Sequence, residues 1–134
     1  MITKIGSGLY LPAFDAGSQW EPPEAIGDFQ WMRVGNVITV AGHMRFSWNY
    51  YGDPNVPGWT PSADPIVSLP QPTVFPASWK AAGSCAVLAD LTQLGRCWPV
   101  SANSGASGCI ISLTAPAAFT PYEYALHFTY AVSP

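Results

Sequence analysis

The side chains in this sequence that could bind a metal ion are few and lie far apart along the chain. There are two histidines, His43 and His127, and three cysteines, Cys85, Cys97 and Cys109. A structural zinc site usually combines closely spaced cysteines with nearby histidines, and the sequence contains no Cys-x-x-Cys. We therefore predict that the protein holds no metal ion and no cofactor.

Hydrolytic chemistry would need a nucleophile or a carboxylate pair at a defined spacing. Serines are numerous, but no Gly-x-Ser-x-Gly is present and no histidine or carboxylate is ordered as a triad requires. Glu21 and Glu24 flank two prolines and are interpreted as solvated connector residues rather than a glycosidase pair. The sequence predicts no catalytic residues and a protein that is not an enzyme.

The cysteines recur every twelve residues, and their odd number does not favour a disulfide framework. If 84–91, 94–100 and 107–113 are successive strands of a meander, the three thiols come close together across the sheet. The favoured interpretation is that they are small buried hydrophobic side chains.

The composition is unusually poor in charge. Hydrophobic residues make up 49% of the chain and charged residues 10%, whereas about 25% charged is typical of soluble domains. A surface so depleted in charge and rich in aromatic residues is typical of the core of an interface, which indicates an assembly component. The net charge of −3 and the isolated basic residues exclude a nucleic-acid partner; those residues are Lys4, Arg33, Arg45, Lys80 and Arg96.

The sequence contains neither a long apolar run nor a signal peptide. No segment reaches the roughly 18 continuous apolar residues of a membrane span, and the start of the chain lacks a basic region followed by an apolar stretch. We expect no membrane partner, synthesis in the cytoplasm, and a bacterial or viral origin, because no Asn-x-Ser/Thr sequon is present.

Two segments define the fold class. Residues 31–46 predict a hairpin about Gly35-Asn36, since β-branched residues flank a pair that accepts positive φ values. In the closing strand 122–132, five large apolar side chains share one parity and predict a buried face; they are Tyr122, Tyr124, Leu126, Phe128 and Tyr130.

Seven or eight short strands with proline-rich loops predict an all-β protein. Specifically, we expect a single-domain antiparallel β-sandwich of jelly-roll type over residues 1–134. Residues 10–14 are expected to form an edge strand, because Pro12 cannot donate to a central ladder. Residues 1–20 are expected to form an extended segment that engages a neighbouring subunit.

Residues 48–64 are expected to form a long aromatic loop. Within 48–61, four large aromatic side chains alternate with prolines and glycines, and a long loop of this kind is usually functional. The alternatives for its aromatic residues are interface contact, buried loop packing and sugar stacking, whereas core or trimer packing is favoured for Trp31, Trp79 and Trp98. The candidate protein-interface residues are Tyr10, Phe14, Trp20, Arg45, Trp48, Tyr50, Tyr51 and Trp59.

Four motifs occur in an order that suggests a family. They are Arg33-Val-Gly-Asn-Val-Ile-Thr-Val-Ala-Gly42, Val67-Ser-Leu-Pro70, Ala82-Gly83 and Ala125-Leu-His-Phe-Thr-Tyr-Ala-Val132. Together they resemble a β-domain of virion structural proteins in tailed bacteriophages, which is found in tail fibres, head fibres and small capsid decoration proteins. The resemblance extends from about Gly8 to Val132.

The resemblance implies a trimeric, non-enzymatic module on the outside of a virus particle. Because the domain begins at about Gly6, with no shaft before it, we expect a capsid cement or decoration protein. Its partners would be two further copies of itself and the major capsid protein. The aromatic loop is longer than the family pattern, which keeps a tail-fibre, receptor-binding or glycan-binding domain as the alternative. A small hydrolase is the third hypothesis and has no positive motif.

Overall fold

In the computed structural model, residues 5–17, 19–48, 62–88, 96–114 and 121–132 are described, and they form a single all-β domain. Helix is limited to one 3₁₀ turn, Ser78–Lys80, in this part of the chain. The strands are β1 (Ile5–Tyr10), β2 (Phe14–Asp15), β3 (Glu24–Ala25), β4 (Phe29–Val34), β5 (Val37–Phe46), β6 (Ser62–Ala63), β7 (Ile66–Ser68), β8 (Ala81–Val87), β9 (Cys97–Ala102), β10 (Gly108–Ile111), β11 (Leu113–Thr114) and β12 (Tyr122–Ala131).

Most of these strands belong to one antiparallel sheet. Its order is β1-β4-β5-β12-β8-β9-β10-β7-β2, and β3 pairs with the end of β5 beyond β4. The strand order of the predicted meander is confirmed, because β8, β9 and β10 are neighbours in sequence order. The expectation that the three cysteines meet across it is wrong, because Cys85 is opposite Trp98 and Cys109 is opposite Ala102. β6 and β11 form a separate two-stranded sheet.

The sheet is strongly curled. β1 and β2 lie at opposite ends of the strand order, yet only Leu11, Pro12 and Ala13 separate them in the sequence. The Ser68 amide donates to the Ala13 carbonyl oxygen (2.9 Å), and the Ala13 amide donates to Ser68 Oγ (2.8 Å). The chain therefore crosses from one edge of the sheet to the other, which requires the two edges to approach each other.

The crossing corrects the expectation of one edge strand over residues 10–14. Pro12 supplies no amide hydrogen, so the strand breaks there into two pieces that pair with β4 and β7. The predicted strand count is not confirmed either. The described residues hold twelve strand segments, five of which have three residues or fewer.

The predicted hairpin is confirmed, with Val34 opposite Val37 across a two-residue turn. Gly35 has φ +62°, and none of the described non-glycine residues has a positive φ. A positive φ at the first turn position alone is the pattern of a type II′ turn. Asn36 therefore does not need the left-handed conformation that the sequence suggested for both residues.

The buried face of β12 is confirmed for four of its five predicted residues, whereas Tyr122, at the start of the strand, is only half-buried. Tyr124, Leu126, Phe128 and Tyr130 are at most 2% exposed and line the inside of the curl. On β5, Gly42 faces the same interior, and a Cβ atom there would lie 2.2 Å from the Phe29 ring. The Phe29 ring thus crosses the β5 backbone where no side chain obstructs it, which allows close packing.

None of the helical residues among those described forms a segment long and apolar enough to cross a membrane.

Candidate interaction surface

The outward-facing side chains of β1, β4, β5, β12, β8 and β9 form a continuous surface, here called the outer face. Strand pairing aligns them in rows, since directly opposite residues point to the same side of a sheet. One row contains Ile5, Val34, Val37 and Ala131. The next row contains Ser7, Met32, Thr39, Thr129, Ala82 and Ser101.

Two further rows continue the outer face toward the other end of the strands. One contains Leu9, Gln30, Ala41, His127, Ser84 and Pro99. The other contains His43, Ala125, Ala86 and Cys97, and the last pair is Arg45 and Glu123.

The β1 and β4 half of the outer face carries large apolar side chains. Ile5 is 79% exposed, Leu9 62% and Met32 58%, and Val34 and Val37 are also exposed. Single exposed apolar residues are ordinary, whereas a contiguous patch indicates a binding site. We call these five residues the apolar ridge.

A shallow depression of about 480 Å³ lies beside the apolar ridge. Leu9, Gln30 and Met32 line it together with the smaller Ser7, Thr39 and Ala41. A second depression of about 270 Å³ shares Gln30 and Ala41 with the first. Small side chains in the middle rows thus leave room for atoms of another molecule.

The β12 and β8 half of the outer face has a different character. Its outward residues are small, so no long side chain rises from it apart from His127 and Glu123. We call this half the small-residue floor; its small residues are Ala82, Ser84, Ala86, Ala125, Thr129 and Ala131.

Charged side chains in the rows of the outer face are confined to one pair. Arg45 Nη2 lies 3.3 Å from Glu123 Oε1, with the two side chains 52% and 46% exposed. Asp28 and Lys80 are exposed just beyond the ends of β4 and β8. The ion pair is solvated and contributes little to stability. Glu24 of β3, also exposed, lies directly opposite Arg45 on its other side. This border of the outer face therefore carries two carboxylates and one guanidinium, whereas the other four rows contain no Asp, Glu, Lys or Arg.

The two histidines lie on neighbouring strands of the outer face. His43 is opposite Ala125 and His127 is opposite Ala41, so the histidines are diagonal neighbours although 84 positions separate them in the sequence. No group of three potential metal ligands occurs among the described residues.

Trp20 and Trp48 lie in the interior and not on the surface. Trp48 is 1% exposed and Trp20 5%. Their rings pack edge to face at 5.1 Å, and Phe46 lies 4.7 Å from Trp48. Trp48 Nε1 donates to the Tyr124 hydroxyl at 3.0 Å. Among the alternatives for these residues the structure therefore shows buried loop packing, because this end of the curl needs large rings to fill it.

Tyr10 and Phe14 are half-buried on either side of the Pro12 crossing. The Tyr10 hydroxyl donates to the Ser68 carbonyl oxygen at 3.0 Å, and burial raises the pKa of that hydroxyl far above its usual range. The Phe14 ring lies 6.1 Å from that of Phe29. Both side chains hold the two edges of the sheet together, so their exposed part is small.

Arg45 is the predicted interface residue that is most exposed within the described chain, and it lies at the border of the outer face. The remaining three candidates, Tyr50, Tyr51 and Trp59, lie outside the described residues. So does most of the predicted aromatic loop 48–64.

The other three tryptophans of the described chain differ in how far they are buried. Trp98 is buried and donates to Thr114 Oγ1 at 2.7 Å, and Trp31 is half-buried. Trp79 is 73% exposed, with the Lys80 ammonium 3.9 Å from its ring centroid. Core packing of Trp79, one of the two alternatives favoured for it, is therefore wrong, and trimer packing stays a prediction. The place of Trp79 in a short 3₁₀ turn explains its exposure, since none of the residues of this turn is buried.

All three cysteines are free thiols. Cys85 and Cys109 are buried, which raises the pKa of each to about 12, whereas Cys97 is exposed. The interpretation as small buried hydrophobic side chains therefore fits two of the three. The partner of the inward-facing Cys85 on β9 is Trp98. Cys97 precedes Trp98, and adjacent residues of a strand point to opposite sides of the sheet, so Cys97 faces outward.

Sequence reasoning identified few of the outer-face residues. The alternation of β12 is visible in the sequence, but the apolar ridge depends on the pairing of β1 with β4, which no local pattern reveals. The usable signal is the absence of charged residues from 5–14 and from 29–32, which the overall composition does not locate.

Comparison with models of known protein families gives no match, and no curated protein matches the sequence. The function is therefore argued from the surface itself.

Proposed function

We propose that this chain is a non-enzymatic virion structural protein, a capsid cement or decoration protein. It binds the outer surface of a phage head as a homotrimer and stabilises the expanded shell. The observation that carries the proposal is the outer face, whose paired rows expose a ridge of aliphatic side chains and contain charged residues only at the border formed by Arg45 and Glu123. The sequence resemblance supplies the kind of assembly.

Cementing follows from mass action. A protein that binds only the assembled, expanded lattice lowers the free energy of that lattice and so opposes its rupture. A trimer can contact several capsid subunits at once, and modest individual contacts then add through effective concentration. No chemical step is needed, and the protein would be made in the host cytoplasm before it docks.

The jelly-roll assignment belongs to the same proposal. The closing strand β12 pairs between β5 and β8, neither of which is its neighbour in sequence. Such non-sequential pairing of a late strand in the middle of a sheet supports a Greek-key arrangement. The kinked passage from β1 to β2 supports it too, since strands that change partners at a bend form the corners of β-sandwiches.

The test is co-sedimentation of the purified protein with emptied, expanded capsids of a candidate phage. We expect the protein to pellet with the shells at a fixed ratio to the major capsid protein and to raise the temperature at which they rupture. A protein that stays in the supernatant with expanded shells of its own phage contradicts the proposal.

One observation favours a second candidate, a tail-fibre, receptor-binding or carbohydrate-binding domain. Trp79 is exposed with a cation against its ring, and exposed indoles are suited to stacking on apolar faces of ligands. Binding on a glycan array that the Trp79→Ala variant loses would favour this candidate. Silence on the array together with capsid binding would exclude it.

A further inference from the structure

We propose that copies of this chain assemble head to tail through the outer face. The apolar ridge of one copy packs on the small-residue floor of the next. The contact within the homotrimer is thus between the apolar ridge and the small-residue floor, and the number of copies rests on the proposed function. The molecule that covers the outer face is a second copy of this chain.

The side chains of the apolar ridge and of the small-residue floor are complementary in size. The ridge side chains are long or branched and strongly exposed, with Ile5 and Met32 at 79% and 58%. The floor presents alanines, a serine and a threonine, whose short side chains leave the sheet surface low on either side of the exposed His127. Large side chains that meet small ones can interdigitate at the packing density of a protein interior.

The scarcity of charge on the outer face also favours a second copy as its partner. A charged partner would bury its charges without a counter-ion against the four rows from Ile5 to Cys97, because these rows contain no Asp, Glu, Lys or Arg. Burying an unpaired charge is costly. A suitable partner is therefore as poor in charge as the outer face, and a second copy of the same face meets that requirement.

The area of the outer face can be compared with that of stable protein interfaces. Six strands about 4.8 Å apart and five side-chain rows about 6.8 Å apart give a face of roughly 24 Å by 27 Å, or about 650 Å² in projection. A stable protein interface covers about 800 Å² on each partner. The whole outer face is thus somewhat smaller than one such interface, and either half alone is too small to hold two copies together. Stable association therefore requires both halves of every copy to be buried.

The curl of the sheet determines how many neighbouring copies contact the outer face. The outside of a curled sheet is convex, so one partner cannot cover both halves well. The ridge and the floor are instead expected to contact two different neighbours. A contact between unlike surfaces is heterologous, and it closes into a ring when the rotation between copies is right. Three copies related in this way would bury both halves of every outer face.

The experiment compares sedimentation velocity of the wild-type chain with three variants. Met32→Asp places a charge in the ridge, Ala82→Asp places one in the floor, and Val74→Asp is the matched control. Val74 is 68% exposed but does not belong to the outer face. We expect the wild type and Val74→Asp to be trimers, and Met32→Asp and Ala82→Asp each to raise the dissociation constant about 100-fold or more.

Circular dichroism and thermal unfolding of each variant show that the fold is intact. If Ala82→Asp loses its β signal, Ser84→Asp carries the charge on the same half. Trimers that persist in both the ridge and the floor variants overturn the proposal, as does a monomeric wild type. Dissociation by one of the two charges alone overturns the pairing of ridge with floor.

The outcomes separate this inference from the proposed function. A trimer that the two charges dissociate but that never binds capsids supports the head-to-tail contact and contradicts cementing. A wild-type chain that binds capsids as a monomer supports cementing and overturns the head-to-tail contact.

Discussion

The aromatic end of the core and the outer face carry opposite kinds of apolar residue. At the end of the curl, Trp20, Phe46 and Trp48 form an edge-to-face cluster with almost no exposure. On the outer face, the exposed apolar residues are aliphatic, and Ile5 and Met32 are typical. Trp20 and Trp48, two of the rings predicted to make contacts, instead fill the fold, and the apolar ridge is built from residues that attract little attention in the sequence.

The largest effect that would test this contrast is expected from Trp48→Ala. Removing the ring leaves a cavity and deprives the Tyr124 hydroxyl of its donor, so we expect the free energy of unfolding to fall by about 3–5 kcal/mol. Urea denaturation measures it. The control is Trp79→Ala, expected to change stability by less than about 0.5 kcal/mol because the ring is exposed. Equal effects of the two variants would contradict the distinction between buried and exposed rings.

A smaller loss is expected from Gly42→Ala. A Cβ atom there would lie 2.2 Å from the Phe29 ring, so the ring or the β5 backbone must shift. Overpacking of this kind costs about 1–3 kcal/mol, which thermal or urea unfolding would show. Ala41→Ser, at the neighbouring outward position, is the control and should be nearly neutral. A Gly42→Ala variant as stable as the wild type would mean that the interior is loosely packed at this point.

The buried thiols predict a loss of stability at alkaline pH. Burial raises the pKa of Cys85 and Cys109 to about 12 in the folded chain, from an ordinary value of 9.0 that applies to the unfolded chain. Above that lower value the unfolded chain has lost protons that the folded chain retains, so stability is full below about pH 8 and falls as the pH rises toward 12. By pH 9 we expect the two thiols together to lower the free energy of unfolding by about 1 kcal/mol relative to pH 7.

Urea denaturation at pH 7 and pH 9 measures this loss. Cys85→Ala should remove about half of the pH dependence, whereas Cys97→Ser, which alters an exposed thiol, should retain it. A pH dependence that is the same in all three proteins would assign the effect to other groups.

The smallest effect is expected from Arg45→Ala. The ion pair with Glu123 is about half exposed on both sides, so the change in unfolding free energy should stay below about 0.5 kcal/mol. The same substitution leaves an unmatched carboxylate at the border of the outer face. If that border is buried on assembly, self-association weakens while stability does not, which sedimentation velocity would detect. A marked loss of monomer stability would contradict the solvated character of the pair.

Local patterns predicted the parts of the fold that depend on local physics. The Gly35 turn and the alternation of β12 follow from backbone conformation and from a period of two. The join between β1 and β2 could not be foreseen, because it depends on the curl of the whole sheet and not on residues 10–14 themselves.

The candidate surface was harder to predict for the same reason. Trp48 follows a long strand and precedes a proline-rich stretch, and nothing nearby in sequence reveals the Tyr124 hydroxyl that receives its N–H. The apolar ridge likewise joins residues of three strands whose register is set by long-range pairing. The low number of charged residues was visible in the composition, but the composition did not show that one face of the sheet would be almost free of them.

The mass of the purified chain in solution, measured by light scattering over a range of concentrations, tests the central claim most directly. An outer face that joins copies head to tail predicts a species of three times the 14.3 kDa chain mass, which the Met32→Asp substitution reduces to a monomer. A wild-type chain that remains at 14.3 kDa at the highest concentration would contradict the account.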